Sequence, residues 1–465
     1  MLGTASPVSE AVEAMRARAV SSVVIIDPQG FVVGIITEQD IVRRVAFLVA
    51  PDTPLEQVMT APVMTIKAAD YLFRAIARMR RYGLKHMPVV DEDGRPLGMI
   101  DLNDAMAVTN EKMMEQIDKL THRGSIEGLK EVKQAQVDLA RDLLDDNLPA
   151  SEVQAMLTHV NNLIYQRVIE ACLADMEAEG LGAPPVKFAA IVFGSGGRGE
   201  NYLFPDQDNG FIISDYPDGE HARIDGFFME LADRMTQELD GVGLPLCKGY
   251  CMAINPLWRK TASQWIKQID LWGRKHNFVA IRLSDIFFDF QAVYGDQGLA
   301  IDLRNKVARM IAKNHFYLSS MFHEIADHNV ALGFFGGFIT DDERQEYKGQ
   351  INLKHTGTLP MVEAVRLLAL REGLAETATL SRVEALHLKG VVDENEREAL
   401  FSAFELLTGI LLHQQIRDFK EGRPVGYHVD PETLSKRQQK RLTEALKSID
   451  QLRKRVKSEF TADIF

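Results

Sequence analysis

The N-terminal part of this chain repeats itself at a fixed offset of 64 residues, and that constrains the fold more than any other feature. Met15 to Asp40 recurs without a gap as Met79 to Asp104, and Asp27, Gly30, Gly34, Ile36 and Asp40 fall on Asp91, Gly94, Gly98, Ile100 and Asp104. Self-similarity at one offset marks a supersecondary unit used twice. Each copy opens with an amphipathic stretch, residues 10–18 and 71–82, whose period predicts a helix. Two apolar strands follow, joined by Asp27-Pro28-Gln29-Gly30 in the first copy and Asp91-Glu92-Asp93-Gly94 in the second. The unit reads β-α-β-β-α. The partner of Thr65 is residue 1, so the first repeat is expected to be truncated at its start, as if the chain began late or a domain preceded it.

With Val58-Met59-Thr60 and Val63-Met64-Thr65-Ile66 between the copies, the pattern resembles a tandem CBS pair. That resemblance implies an adenine nucleotide (AMP, ADP or ATP) as regulatory ligand, and a homodimer formed through the pair. In that family a Gly-h-h-Thr-x-x-Asp segment places a hydroxyl and a carboxylate at a helix start, beside phosphate and ribose hydroxyls. Here it reads Gly34-Ile35-Ile36-Thr37-Glu38-Gln39-Asp40, which makes Thr37 and Asp40 candidates. The second copy keeps Asp104 but has Asp101 in place of the hydroxyl, so an anion would face any phosphate there and one occupied site per pair is expected. Thr37 and Asp101 serve equally well as N-caps of the following helices. The sequence leaves both readings open.

A length of 465 residues is too great for one core and suggests about three domains. The net charge of −13 argues against broad binding to DNA or to an anionic membrane. The longest apolar run near the C-terminus, residues 406–412, falls short of the roughly 20 residues a bilayer needs. No charged-then-apolar leader opens the chain, and the expectation is a cytoplasmic protein. Cys172, Cys247 and Cys251 are read as reduced thiols, because Cys-x-x-x-Cys without nearby histidines is a poor zinc signal.

Residues 111–180 carry apolar positions at helical spacing (Met114, Ile117, Leu120; Leu139, Leu143, Leu144; Val160, Leu163, Ile164, Val168), broken at Asn147-Leu148-Pro149. They read as a helical connector. Next, an apolar strand over 186–193 runs into Gly194-Ser195-Gly196-Gly197-Arg198-Gly199-Glu200, and Asp206-Gln207-Asp208-Asn209 follows. A strand ending in Gly-Ser lets main-chain N–H groups approach a triphosphate, with a hydroxyl free to donate. Asp-x-Asp on a strand turns both carboxylates to one face. Two such groups, with a third from a neighbouring strand, are what a pair of Mg²⁺ ions needs for attack on an α-phosphate. Gly-Ser-Gly-Gly alone reads as a turn and Asp-Gln-Asp-Asn alone as a solvated loop; their order and spacing favour the chemistry. Gly-Lys-Ser/Thr is absent, so a Walker-type loop is not supported.

Gly-Ser-x-Gly-Arg-x-Glu followed by Asp-Gln-Asp-Asn resembles the nucleotidyltransferase domain of the PII-protein uridylyltransferase and glutamine-synthetase adenylyltransferase group, and more closely a family of nucleotidyltransferases that place a CBS pair before this module. The resemblance spans essentially the whole chain. It implies Asp206 and Asp208 as metal ligands, Gly194 and Ser195 on the triphosphate, Arg198 as a phosphate partner, and an NTP (UTP or ATP) as substrate. It also implies a PII-like protein acceptor; a small-molecule acceptor is disfavoured by the regulatory N-terminus. Gly199 and Gly210 stand where the family usually has a larger residue or Ala, a departure expected to loosen the loop. For the third carboxylate the best candidate is Asp289, one charge in an apolar strand at 286–290, which is costly to bury unless paired or metal-bound. Asp285 is the runner-up, and a buried Arg or Lys partner for Asp289 stays open. Residues 247–258 resemble the family's middle strand and turn and receive no chemistry. Beyond residue 299 the chain reads as helices resembling the family's substrate-binding partner, with Lys354-His355 and His413-Gln414-Gln415 either facing the cleft or lying on the surface. The basic cluster 453–457 reads as a solvated helix face.

The expected architecture is therefore multidomain α/β plus α: a CBS pair over 1–107, a connector over 108–182, a polymerase-β-type α/β nucleotidyltransferase domain over 183–298 and a C-terminal helical bundle over 299–465. The competing reading is a non-catalytic nucleotide-sensing signalling protein.

Overall fold

The computed structural model describes the chain apart from residues 19, 47, 71, 103, 106–125, 146–147, 276–277, 326–327, 334–335, 342–343 and 463–465. Met114, Ile117 and Leu120 lie outside the described residues. The chain divides into two compact units, Met1–Lys119 and Leu120–Phe465.

In the first unit, β1 (Leu2–Gly3), α1 (Val8–Arg18), β2 (Ser22–Ile26), β3 (Val32–Thr37) and the short α2 (Glu38–Asp40) make one copy of the repeat. The second copy comprises β4 (Ile66–Lys67), α3 (Leu72–Arg81), β5 (His86–Val90) and β6 (Pro96–Asp101). The 64-residue offset holds down to the ladder register: Leu2 pairs with Ile25 and Ile66 with Val89, while Ser22 pairs with Thr37 and His86 with Asp101. The opening strand of the first copy is thus in place and paired like its counterpart. The turns match too, since Asp27 Oδ1 accepts from the Gln29 and Phe31 N–H groups and Asp91 Oδ1 from those of Asp93 and Arg95. Each copy closes its own core, around Ala11, Ile25, Ile36 and Leu55 in one and Ile66, Ala75, Met79 and Met87 in the other.

The second unit is built on a four-stranded sheet. It contains α4 (Ile126–Asp145), α5 (Ala150–Ala178), β7 (Phe188–Val192), α6 (Gly194–Arg198), β8 (Asn209–Ile213), α7 (His221–Val242), β9 (Arg259–Thr261), α8 (Ala262–Lys275), α9 (Phe278–Phe287) and β10 (Gln291–Gly295). The strand order is β10-β7-β8-β9, with β7 antiparallel to both neighbours and β8 parallel to β9. β7 and β8 are buried along their whole length, as five-residue apolar strands covered on both faces must be. The helices read as a connector pack into this unit: α5 lies against α7 and β10, and α4 against α5 and α7. Lys133 of α4 is buried and donates to the Leu203 carbonyl at 2.6 Å, to Asn161 Oδ1 at 3.0 Å and to Gln136 Oε1 at 2.8 Å. Those three acceptors match the three N–H bonds of an ammonium.

Helices continue as α10 (Gln297–Ala312), α11 (His315–Ile325), α12 (Leu359–Arg371), α13 (Thr379–Leu388), α14 (Glu394–Lys420) and α15 (Lys436–Ala462). A two-stranded ladder pairs β11 (Ile351–Asn352) with β12 (His428–Val429). By length and composition α14 is the one helix among the described residues apolar enough to cross a membrane. It packs against α4, α5, α13 and α15, and its Leu407, Leu411 and Leu412 are fully buried.

Candidate functional site

β7 delivers the chain into the glycine-rich turn. After Phe193, Gly194 takes φ +54, one turn of helix covers Gly194–Arg198, and Gly199 closes it at φ +74. The next segment, ahead of β8, alternates as an extended chain should: Asp206 is exposed, Gln207 is fully buried and Asp208 is half-buried. Gln207 anchors the segment by donating from Nε2 to the carbonyls of Thr236 and Leu244. The Phe193 N–H donates to the Asp208 carbonyl at 2.9 Å, which fixes the glycine turn to the acidic segment. A Cβ on Gly194 would lie 3.5 Å from Asp208 Oδ2. The structure therefore brings Gly194 and Asp208 together, with Asp206 two residues before on the same segment.

The electrostatics single out the carboxylate pair. Burial pushes the Asp206 carboxyl up, while Lys354 and then Lys248 pull it back. Burial holds Asp208 well above the usual carboxylate range, helped by Cys247 and Asp206, with Lys354 again opposing. The Cys247 thiol is pushed down to about 5 by its hydrogen bond with Cys251, against burial, and by Asp208. Asp208 and Cys247 are hydrogen-bonded to each other, and their shifts run in opposite directions. Two neighbouring carboxylates with an unmet demand for positive charge are an oxygen donor set that fits Mg²⁺, which is commonly held by one or two protein carboxylates plus substrate phosphates.

Three sequence candidates fall elsewhere. Asp289 lies in the turn after α9, not on a strand, and is fully buried. Its Oδ2 meets Arg198 at 2.7 Å and Arg366 at 2.6 Å, and its Oδ1 meets Arg382 at 2.7 Å. Burial alone would raise this carboxyl, but Arg382, Arg366 and Arg198 outweigh it and hold it below the usual range. A carboxylate committed to three guanidiniums is not a metal ligand, so the third-carboxylate assignment is corrected to the buried-arginine reading. Asp285, the runner-up, pairs with Arg366. Arg198 is corrected with them, because it turns inward to Glu200 at 2.6 Å and to Asp289, leaving its side chain 10% exposed. Ser195 stays on the turn, where its hydroxyl donates to Asn201 Oδ1 at 3.0 Å.

Gly197 and Gly210 are required by close approach. A Cβ on Gly197 would stand 1.7 Å from the Asp289 carbonyl oxygen. One on Gly210 would meet the Trp258 carbonyl at 2.6 Å and the Phe193 ring at 2.8 Å. The departure at 210 therefore tightens the packing, contrary to the looser loop expected.

Of the C-terminal candidates, Lys354 acts on both carboxylates and sits over the Tyr427 ring at 4.2 Å. Gln415 Oε1 accepts from the Leu203 N–H at 3.1 Å and so braces the segment leading to Asp206. His413 bonds back to the Gly409 carbonyl on its own helix. Sequence reasoning missed Lys248 and Cys247, whose stretch received no chemistry. In the first unit, Thr37 and Asp40 form a capping box: Asp40 Oδ2 accepts from the Thr37 N–H and hydroxyl, and Thr37 Oγ1 accepts from the Asp40 N–H. Arg44 bridges Asp40 Oδ1 and Thr60 Oγ1. Asp104, exposed, donates its N–H to Asp101 Oδ1 at 3.4 Å.

Comparison with known families agrees with this layout. The CBS domain model matches residues 2–47 and 55–110, the model described as "Putative nucleotidyltransferase DUF294" matches 134–278, and its "substrate binding domain" matches 315–460. The chain thus carries a CBS pair followed by the DUF294 nucleotidyltransferase and substrate-binding modules. The DUF294 model takes in most of α4 and all of α5, in line with their packing against α7.

Curated relatives include uncharacterised proteins of Acidianus ambivalens and Methanopyrus kandleri, each 33% identical, over 97 and 110 residues. These matches cover 21% and 23% of this chain, and the chain spans only 58% and 56% of those proteins. Among solved structures, an uncharacterised conserved protein of Pyrococcus horikoshii is 31% identical (TM-score 0.22), with 23% of this chain and 84% of that one covered. A CBS-domain protein of Pyrobaculum aerophilum complexed with AMP is 23% identical (TM-score 0.21), with 22% and 81% covered.

Proposed function

We propose that this chain transfers a nucleoside monophosphate from an NTP to an acceptor hydroxyl, releasing pyrophosphate, at the site formed by Asp206, Asp208, Gly194 and Ser195. The single observation that carries this is the Asp206–Asp208 carboxylate pair, in which Asp206 acts electrostatically on Asp208 and Asp208 is tied by main chain to the glycine turn that follows β7. Asp206 and Asp208 would hold Mg²⁺. Bound there, the ion would neutralise triphosphate charge and stabilise the pyrophosphate leaving group. Gly194 leaves the approach to Asp208 open, and Ser195 shapes the turn through Asn201. Lys354 and Lys248 supply positive charge beside the carboxylates, where an anionic substrate needs it. With Asp289 held by arginines, Asp206 and Asp208 are the two protein carboxylates that would hold the cation.

The acceptor in this reading is a regulatory protein of the PII kind, modified on a hydroxyl, and the nucleotide is UTP or ATP. An adenine nucleotide binds the first CBS repeat at Thr37 and Asp40 and biases the transferase by preferring one of its states, since only differential affinity shifts an equilibrium. Incubating the full chain with each α-³²P-labelled NTP and Mg²⁺ in a cell lysate tests the proposal. Label that reaches a macromolecule with wild type and not with Asp208→Asn supports it and identifies the acceptor. Labelling by both proteins alike would assign the activity elsewhere.

A further inference from the structure

The Cys-x-x-x-Cys spacing at 247–251 is a poor zinc signal by itself, but the fold supplies a third ligand from another segment. A carboxylate oxygen of Asp208 and the Sγ atoms of Cys247 and Cys251 all lie within 4.8 Å of one another. Main-chain contacts set this convergence. The Tyr250 N–H donates to the Cys247 carbonyl at 3.0 Å, and Tyr250 takes φ +53, a region that residues other than glycine rarely enter. The Cys251 carbonyl then accepts from the Asn209 N–H at 2.9 Å, which fastens the cysteine turn next to Asp208. Both sulfurs lean over Gly249, where a Cβ would stand 3.5 Å from one and 3.6 Å from the other. None of the three cysteines is in a disulfide.

We propose that Asp208, Cys247 and Cys251 form a binding site for one thiophilic divalent cation of the Zn²⁺ class. Two thiolates and a carboxylate are zinc ligands, and three protein ligands leave a fourth tetrahedral position for water or substrate. Mg²⁺ gains nothing from the sulfurs, because it takes oxygen ligands. Asp208 belongs both to this set and to the pair assigned to Mg²⁺, so the two cations exclude each other and Zn²⁺ inhibits transfer. That last consequence rests on the nucleotidyl-transfer reading; the site itself does not.

Titrating the chelator-treated full chain with Co²⁺, a spectroscopic stand-in for Zn²⁺, tests the site. One equivalent should bind with thiolate-to-cobalt charge-transfer absorption that Zn²⁺ abolishes. Cys247→Ser and Cys251→Ser should each weaken binding by more than the ~10–100-fold that follows loss of an outer-shell partner alone. Cys172→Ala should leave the spectrum unchanged. No charge-transfer band, or a band that survives both serine variants, would overturn the proposal. Should the serine variants fail to fold, the wild-type chain decides: Zn²⁺ protects the more exposed Cys247 from alkylation, whereas equal alkylation of Cys247 with and without Zn²⁺ refutes the site. None of these readouts needs turnover. A chain that shows the cobalt spectrum but transfers no nucleotide counts against the transferase reading alone. Mg²⁺-dependent transfer that saturating Zn²⁺ leaves untouched would rule out the shared ligand.

Discussion

Replacing Asp208 with asparagine keeps its shape and removes the charge that makes it a cation ligand. Transfer should fall by at least the ~10²–10³-fold lost when one preorganised charge-stabilising group is removed, while the unfolding midpoint stays near that of wild type. Steady-state transfer assays beside a thermal melt check both halves. Asp289→Asn should do the reverse. It strips the shared partner from Arg198, Arg366 and Arg382, and breaking a buried pair of this kind costs about 3–5 kcal/mol. Because the folded carboxyl is held below its ordinary 3.8, its contribution is fully present above about pH 4 and is lost only as pH falls towards the folded value. The stability gap between wild type and Asp289→Asn, measured by urea denaturation, should hold constant from pH 8 to about pH 5 and shrink only below pH 4. A gap that closes near neutrality would contradict this. The two aspartates also differ in legibility. Asp208 is readable because the i, i+2 alternation and the preceding glycine turn are local. The partners of Asp289 lie 77 and 91 residues away in Arg366 and Arg198, and a lone charge in an apolar run reads the same whether metal or arginine neutralises it.

Among the elements, the CBS repeats were the most legible, because a fixed offset specifies strands, turns and register together; the ladder pairs of β2/β3 recur in β5/β6 at the same 64 residues. The stretch before Asp289 was not, since short apolar runs of that kind do not distinguish helix from strand by period, and α9 ends at Phe287 where a strand was expected. Nor does helical periodicity at 126–178 say whether the helices bridge units or join a core. Buried Lys133 settles that through its hold on the segment ahead of Asp206. Lys133→Met should remove the donor from the Leu203 carbonyl and from Gln136 Oε1, while Asn161 Oδ1 keeps the one from Gln136 Nε2, at about 1–3 kcal/mol for each group that water cannot reach. A drop in denaturation midpoint measures it. Gly210→Ala should destabilise by about 1–3 kcal/mol through overpacking against Trp258 and Phe193; an unchanged melting temperature would show that β8 can shift to admit a methyl group.

Across the whole molecule, the CBS pair and the carboxylate pair occupy separate compact units, Met1–Lys119 and Leu120–Phe465. If an adenine nucleotide binds the first repeat, saturation at 100 times Kd should stabilise the first unit by about 2.7 kcal/mol. Differential scanning calorimetry should show that shift lost in Asp40→Ala and kept in Asp104→Ala, because only the first copy pairs a hydroxyl with its carboxylate. Loss in both variants would mean that the two copies share one ligand. The central claim concerns which phosphorus is attacked, and parallel incubations with α-³²P- and γ-³²P-labelled NTP in the presence of Mg²⁺ and lysate acceptor address it directly. The account predicts that α label becomes acceptor-bound while γ label leaves as pyrophosphate, both dependent on Asp208. Transfer of the γ label, or α-label transfer that survives Asp208→Asn, would contradict it.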